Sequence, residues 1–411
     1  MEIKEIKATK AVDSANGTSV NIEVITNSSR ASSSAPSGRT KAKYEAPFFS
    51  TRGLDESIKL VKKLNEKISG MHFTSWDSLE EVEEEAKKID KSERWHNLGV
   101  ATIFSLEAAL LKALAMSEQT EVWKYLNPST KNLPSLYVGS IAGGLQSNLS
   151  VKPDFQEFLI SPDTKKFFDS YFISMQAYKT VKHLLPKEEQ IQQQLSAKNA
   201  LLTSLSNEEV LELLKKVKEE IKEKFDTTLR IGVDMEASSF FFDSSYLYRN
   251  HSKGKGKRID KMDQVQNVFD LIKKYELAYI EDPFHEEEFG AFSRLLRIMK
   301  QYKTQSMIVA DDLVAGDLDR LKRAIKEKAA NSINLKANCT ILEMKKLLDE
   351  ARKHDLKCVM SHRTYETSDD IISQLAIAWQ IPFIRLSVVG SERTVKINKL
   401  IRAERELAGV K

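Results

Sequence analysis

The 411-residue sequence has few cysteines and no long uncharged apolar run. Its two cysteines, Cys339 and Cys358, lie in apolar surroundings, which is typical of buried thiols rather than of a disulfide or a metal-binding motif. The first residues, Met-Glu-Ile-Lys-Glu-Ile-Lys, alternate like a strand and lack the apolar core of a signal peptide. We therefore expect a cytoplasmic protein without a transmembrane helix.

A large excess of one charge is also missing, because 63 Lys and Arg residues face 59 Asp and Glu residues. The basic run from Lys253 to Arg258 alternates with glycine and has no interleaved aromatic residues, which favours an exposed loop. A hydrophobic content of 41% with 30% charged residues is typical of globular proteins. Composition thus indicates neither a nucleic acid nor a membrane as partner, and the length favours two domains.

Strand patterns precede helical patterns in the first third of the chain. Val20 to Val24 alternates between turn-rich flanks, whereas apolar residues follow a helical spacing over Leu54 to Ser69, Ser78 to Lys88 and Asn97 to Met116. The last of these helices is apolar on most of its surface, so it should be buried. We predict a small α+β domain over residues 1–128.

Short apolar runs alternate with charged amphipathic helices over residues 133–411. This repetition favours an α/β barrel over an open sheet. The runs span Leu229 to Val233, Ala278 to Ile280, Met307 to Ala310, Ser332 to Leu335, Lys357 to Met360 and Phe383 to Leu386. The polar, Gln-rich stretch from Lys182 to Asn199 is expected to be a solvated helix or loop.

Polar residues follow these runs, where a barrel places its active site. Asp234, Glu281 and Asp311 would form an all-oxygen pocket for a hard cation such as Mg²⁺. In the same series, Glu157 comes earlier in the chain, and Lys336 and then Ser361-His362-Arg363 come later. Taken singly, such a carboxylate can cap a helix, the lysine can form a salt bridge and the histidine can lie in a core. Their ordered occurrence favours a metal-dependent site.

Several short motifs, in order and spacing, resemble the enolase family over almost the whole chain. They are Asp13-Ser14-Ala15-Asn16-Gly17, Ala35-Pro36-Ser37-Gly38-Arg39-Thr40-Lys41, Asn97-Leu98-Gly99-Val100, Glu281-Asp282-Pro283-Phe284, Asp311-Asp312-Leu313, Met360-Ser361-His362-Arg363 and Ser391-Glu392-Arg393. The resemblance implies an enolase-type α/β barrel, whose early strands break the simple alternation, with a smaller N-terminal α+β domain. It also implies Mg²⁺-dependent dehydration of 2-phosphoglycerate to phosphoenolpyruvate, a step of glycolysis. The partners implied are this small phosphorylated carboxylate and further copies of the chain, in a homodimer or a ring of dimers.

The same resemblance assigns roles to individual residues. Lys336 corresponds to the base that abstracts the proton, and Glu157 to a glutamate that assists catalysis. The metal ligands implied are Asp234, Glu281 and Asp311 for the first Mg²⁺ and Thr40 for a second. The substrate contacts implied are His362, Arg363, Thr364 and Gln146.

The chain departs from the family at three of its functional positions. Counting back from Ser206-Asn207-Glu208-Glu209, Ala197 stands where the family has its general acid, and an alanine has no proton to donate. Gln146 replaces a histidine. The family's second active-site lysine aligns with Ile384, and neighbouring Arg385 can replace it only if the strand register slips or a bulge intervenes.

These departures leave three hypotheses open. The first is a divergent enolase in which Glu157, or a group between Lys187 and Gln194, performs the acid step. The second is an enzyme of the superfamily that uses Lys336 and a metal to enolise another carboxylate. The third is a non-catalytic protein that retains the barrel for binding or assembly, because a fold does not guarantee its usual chemistry.

Overall fold

The computed structural model describes residues 1–38, 42–192, 194–252 and 255–409. Its N-terminal part is an antiparallel sheet in the order β1-β2-β3, covered by helices. The elements are β1 (Ile3–Val12), β2 (Thr18–Thr26), β3 (Arg30–Ser34), α1 (Leu54–Ile68), α2 (Ser78–Asp90), α3 (Val100–Ser117) and α4 (Val122–Leu126). The predicted strand and the three predicted helices of this part are therefore confirmed.

Helix α3 forms the centre of the N-terminal part. Its length and composition would suit a membrane span, but 83% of its residues are buried inside the fold. It packs against β2 and β3 on one side and against α2 and α4 on others. The helix is apolar on nearly all sides because it is surrounded by protein, as its sequence predicts.

Eight strands close into the predicted α/β barrel, with β15 paired to β4. Strand β5 runs antiparallel to both of its neighbours, β4 and β7, whereas the remaining pairs of the barrel are parallel. The early strands thus break the alternation, as expected. The barrel strands are β4 (Ser135–Ala142), β5 (Glu157–Pro162), β7 (Leu229–Asp234), β11 (Tyr279–Glu281), β12 (Met307–Ala310), β13 (Ser332–Leu335), β14 (Lys357–Ser361) and β15 (Phe383–Leu386).

Helices surround the barrel, and two of them begin with a capping box that fixes where the preceding loop ends. These boxes pair Ser206 with Glu209 and Thr340 with Glu343. The helices are α5 (Phe167–Leu184), α6 (Lys187–Gln192), α7 (Asn207–Phe225), α8 (Lys261–Tyr275), α9 (Phe289–Gln301), α10 (Leu318–Lys326), α11 (Ile341–Lys353), α12 (Ile371–Ala378) and α13 (Ser391–Leu407).

Besides the N-terminal sheet, four further strands of the described residues lie outside the ring of eight: β6 (Leu201–Leu202), β8 (Phe241–Phe242), β9 (Ser245–Ser252) and β10 (Lys255–Asp260). The last three form an antiparallel sheet of their own. The prediction of a loop from Lys253 to Arg258 is therefore wrong for residues 255–258, which pair as a strand, although residues 256–258 are exposed. Residues 253 and 254 lie outside the described part. The domain limits at residues 128 and 133 stay a prediction.

The barrel has two distinct apolar surfaces. Its interior is filled by a small cluster of strand residues against which Phe383 packs: Tyr137, Leu159, Tyr279, Met307, Val309 and Val359. A much larger cluster fills the space outside the strands, beneath the helices and the N-terminal part, and it includes Ile384. Because side chains alternate along a strand, this division shows which residues face the barrel axis.

Candidate active site

The strands deliver carboxylates to one rim of the barrel. Asp234 and Glu281 are the last residues of β7 and β11, and Asp311 directly follows β12. Because β5 runs the other way, its first residue, Glu157, lies at the same rim, paired with Asp234. The expectation that Glu157 follows a strand is therefore wrong, yet antiparallel pairing still brings it to the rim.

Arg385 holds three of these carboxylates together. Its Nη1 donates to Glu281 Oε2 at 2.6 Å, and its Nη2 donates to Asp234 Oδ2 at 2.8 Å and also to Glu157. Arg385 is two residues beyond Phe383 and so shares its inward face, whereas Ile384 points to the outer core. Residue counting aligned Ile384 with the family's lysine, but the strand places Arg385 in the site.

Lys336 follows β13 and lies between two carboxylates. Its Nζ donates to Asp311 Oδ2 at 2.7 Å and is 3.3 Å from Oε1 of Glu45, a residue of the N-terminal part. Asn338 Nδ2 donates to the same Glu45 oxygen at 2.9 Å, which anchors the loop that carries Lys336. Burial by itself would lower the pKa of Lys336, but Asp311 and Glu45 outweigh burial and raise it.

The pair after β14 combines a charged and a neutral side chain. Arg363 Nη2 is 3.0 Å from Glu45 Oε2. Burial alone would raise the pKa of Glu45, but the charges of Arg363 and Lys336 outweigh burial and lower that pKa to about 2. Burial and the charge of Arg393 hold the pKa of His362 well below its usual range, and His362 Nδ1 accepts from Arg393 Nε at 3.2 Å. His362 is therefore neutral, with its proton on Nε2, and this atom has no partner among the described residues.

Amide side chains line the wall between His362 and the carboxylates. Gln146 Nε2 donates to Gln156 Oε1 at 3.2 Å and to Thr364 Oγ1 at 3.5 Å. Gln156 Nε2 in turn donates to Asp234 Oδ2 at 3.1 Å. The predicted substrate contacts Gln146 and Thr364 are thus connected to the acidic rim through Gln156, which sequence reasoning missed.

Lys198 is a second cation at Glu157. Its Nζ lies 3.0 Å from Glu157 Oε2, and the whole residue is only 7% exposed. The expectation that Lys182 to Asn199 is solvated is therefore wrong at this residue. Burial alone would raise the pKa of Glu157, but Lys198 and Arg385 outweigh it and lower that pKa, so Glu157 is ionised. The sequence could have pointed to Lys198, because it is the only charged residue between Gln190 and Ser206.

Carboxyl groups outnumber cationic side chains among the described residues that line the cleft. Four cations face seven carboxylates, which are Glu45, Asp234, Glu236, Glu281, Asp282, Asp311 and Asp312. Burial, helped by neighbouring carboxylates, raises the pKa of Glu281 and of Asp312 to about 8, although Arg385 opposes the shift at Glu281 and Lys336 opposes it at Asp312. Oxygens of Asp282, Asp311 and Asp312 also lie within 4.8 Å of one another. This excess of buried oxygen donors fits a hard divalent cation.

The cleft gathers most of the site residues expected from the sequence, namely Gln146, Asp234, Glu281, Asp311, Lys336, His362, Arg363 and Thr364. Glu157 lies just behind this surface, against Lys198 and Arg385. Thr40, the residue expected at a second metal, lies outside the described residues. The cleft also includes side chains without an assigned role in the sequence analysis, namely Glu45, Gln156, Lys198, Glu236, Asp282 and Asp312.

A closed barrel that brings carboxylates, a lysine and an arginine to one rim has the side chains that metal binding and proton transfer require. Comparison of the sequence with models of known protein families identifies the family. The enolase N-terminal domain matches residues 3–126 and the enolase C-terminal TIM barrel domain matches residues 130–411. The chain therefore belongs to the enolase family.

Individual relatives are similar over their full length but at low identity. An enolase of Picrophilus torridus is 27% identical, with 99% of each chain covered. An enolase of Methanothermobacter thermautotrophicus is 28% identical, with 98% of this chain and 97% of the relative covered. An enolase of Helicobacter pylori is 28% identical, with 100% of this chain and 97% of the relative covered. Such divergence leaves room for altered site residues.

Proposed function

We propose that this chain is a lyase that dehydrates 2-phosphoglycerate to phosphoenolpyruvate. The observation that carries the proposal is Lys336, whose Nζ lies 2.7 Å from Asp311 Oδ2 at the rim where Asp234 and Glu281 also end their strands. A lysine beside a cluster of carboxylates suits proton abstraction next to a substrate carboxylate. The enolase names of the relatives support the same reaction.

Asp234, Glu281 and Asp311 would hold Mg²⁺, which when bound supplies positive charge for the substrate carboxylate as negative charge develops there. Lys336 acts as a base only in its neutral form. Burial favours that form and Asp311 and Glu45 oppose it, so both carboxylates must be engaged elsewhere when substrate is bound. Glu45 already has Arg363 and Asn338 as partners, and Asp311 would be a metal ligand.

The substrate phosphate would bind on the side of His362 and Arg363. Arg363 presents a planar guanidinium, which suits phosphate oxygens, and His362 Nε2 carries a proton for which the described residues offer no acceptor. Gln146 Nε2 is within reach of Thr364 Oγ1, so both groups line the same part of the cleft. These side chains orient the substrate with its C2 proton towards Lys336.

A second candidate is the enolisation of a different carboxylate by Lys336 and the metal. It is favoured by Ala197, which occupies the position of the family's acid, and by Gln146, which replaces a histidine. Exchange of solvent hydrogen into such a carboxylate substrate, without turnover of 2-phosphoglycerate, would support this candidate. By similarity to the family, we also propose a cytoplasmic homo-oligomer. Light scattering coupled to size-exclusion chromatography would measure its oligomeric state.

The direct test is the rise in ultraviolet absorbance that accompanies phosphoenolpyruvate formation from 2-phosphoglycerate with Mg²⁺. Lys336→Ala, purified in parallel, is the control for contaminating host enolase. A rate that disappears in Lys336→Ala supports the proposal. No rate in either protein at high concentration, or equal rates in both, contradicts it.

A further inference from the structure

Residues 196–200 form a tight turn that directs Lys198 into the cleft. Ser196 N donates to Ala200 O at 2.9 Å, and Asn199 N donates to Ser196 O at 2.9 Å. Asn199 has a left-handed backbone, with a φ of 62°, a conformation that asparagine tolerates better than most residues. In this turn the side chain of Lys198, rather than that of Ala197, lines the cleft.

Neighbouring elements hold this turn in place. Tyr178 OH, from α5, donates to Asn199 O at 2.9 Å, and Asn199 Nδ2 donates to Val389 O at 3.2 Å in the loop after β15. Arg393 Nη2, from α13, donates to Ala197 O at 3.3 Å. The Lys198 ammonium is therefore positioned by the protein before any substrate binds.

Lys198 and Lys336 stand on opposite walls of the site. Lys198 pairs with Glu157 at the start of β5, and Lys336 follows β13. In the closed ring, three strands separate β5 from β13 on either side, namely β7, β11 and β12 on one and β4, β15 and β14 on the other. A substrate between these walls would expose its C2 proton to one lysine and its C3 hydroxyl to the other.

We propose that Lys198 is the proton donor to the departing hydroxyl group, an inference that rests on the proposed function. Lys336 removes the proton from C2, and the electron pair that remains is delocalised into the substrate carboxylate. This pair then forms the C2–C3 double bond while the C3–O bond breaks and its electrons go to oxygen. The oxygen takes a proton from the Lys198 ammonium and leaves as water. Lys198 regains a proton from solvent, and Lys336 releases one.

Glu157, Gln146 and His362 also lie near this wall, and none of the three is suited to the role. Glu157 Oε2 accepts hydrogen bonds from Lys198 Nζ and Arg385 Nη2, so the carboxylate is held as an acceptor between two cations. Gln146 is an amide and has no acidic proton to give. His362 is a neutral imidazole that accepts a hydrogen bond from Arg393. Glu157 instead serves as a positioning residue, since its Oε2 is 3.0 Å from Lys198 Nζ.

The experiment compares two leaving groups in wild-type protein and in Lys198→Met. With 2-phosphoglycerate, Lys198→Met should lose kcat by about 10²–10⁴-fold, which is typical for removal of a general acid. With the analogue that carries fluorine in place of the C3 hydroxyl, fluoride leaves without protonation, so Lys198→Met should keep its rate within about tenfold. Exchange of the C2 proton with deuterated solvent should also persist.

Lys198→Arg separates an acid from a cation that only positions Glu157. It restores the positive charge, but a guanidinium gives up its proton poorly, so water elimination should stay low. Wild-type rates in Lys198→Arg or in Lys198→Met, or an equal loss with both leaving groups, would overturn the inference while leaving Lys336 as the base. A wild-type protein inert towards both substrates and without C2 exchange would overturn the proposed function, and the inference with it.

Discussion

Glu157 occupies the space that a side chain at Gly139 would need. A Cβ atom added to Gly139 would lie 1.6 Å from Glu157 Oε1. Gly139 belongs to β4, next to an irregularity in the pairing of β4 with β5, and β5 begins with Glu157. The glycine therefore allows a carboxylate to sit inside the barrel against Lys198 and Arg385.

Gly139→Ala should displace Glu157 and with it the pairing of Lys198. We expect a loss of about 1–3 kcal/mol in the free energy of unfolding, because the added methyl group overpacks the barrel interior. Dehydration activity should fall as well. Denaturant unfolding and steady-state kinetics measure both effects.

Gly290→Ala is the matched control, since Gly290 lies in α9 and an added Cβ meets no atom of the described residues within 4 Å. It should keep full activity and gain up to about 1 kcal/mol from helix propensity. Full activity and stability in Gly139→Ala would contradict the packing described for Glu157.

Arg385→Met should destabilise the metal-free protein strongly. It leaves Glu157, Asp234 and Glu281 buried without their shared guanidinium, and loss of one partner of a buried ion pair typically costs about 3–5 kcal/mol. Arg385→Lys keeps the charge but lacks the planar guanidinium with its two terminal nitrogens, so its stability should be intermediate. Urea unfolding in the presence of a chelator measures this order. Equal stability of Arg385→Met and wild type would refute the role of Arg385.

In Glu45→Gln, the free energy of unfolding should depend less on pH in the acidic range than it does in the wild type. The folded-state pKa of Glu45 is about 2, below its ordinary value of 4.5, so its contribution is present above pH 4.5 and lost as the pH falls towards 2. The gap in unfolding free energy between wild type and Glu45→Gln should be about 3 kcal/mol near neutral pH. Thermal unfolding from pH 7 to pH 3 should show that gap closing.

Glu66→Gln, at an exposed position of α1, should change stability little at either end of this range. A gap for Glu45→Gln that is as large at pH 3 as at pH 7 would show that the charge of Glu45 does not stabilise the fold.

Mg²⁺ should raise the unfolding temperature of the wild-type protein but hardly that of Asp234→Asn. A ligand at 100 times its Kd stabilises by about 2.7 kcal/mol, and Asp234 ends β7 beside Glu281 in the proposed metal site. Asp226→Asn, at the exposed end of α7, should respond to Mg²⁺ like the wild type. An undiminished response of Asp234→Asn would remove Asp234 from the metal site.

The fold could be predicted from the sequence largely because it follows from repeated patterns. The apolar runs at 307–310, 332–335 and 383–386 coincide with β12, β13 and β15, since buried parallel strands are almost continuously apolar. The residues at the ends of such strands meet at one rim for topological reasons. The sequence alone therefore places Asp234, Glu281 and Lys336 together.

The altered parts of the site could not be predicted in this way. Residue counting gave Ile384 the lysine position, and only the register of β15 with β14, which pairs Arg385 with Ser361, shows which side chain faces inward. Lys198 lies in a turn outside the strand–helix repeat, and long-range contacts from Tyr178 and Val389 position it. Such contacts leave no periodic signal in the sequence.

The measurement that tests the central claim most directly is exchange of the C2 proton of 2-phosphoglycerate with deuterated solvent, followed by NMR with Mg²⁺. It reports proton abstraction by Lys336 without requiring the hydroxyl group to leave. We predict exchange in the wild-type protein and its loss in Lys336→Ala. Absence of exchange in the wild type, or equal exchange in Lys336→Ala, would contradict the assignment of Lys336 as the base.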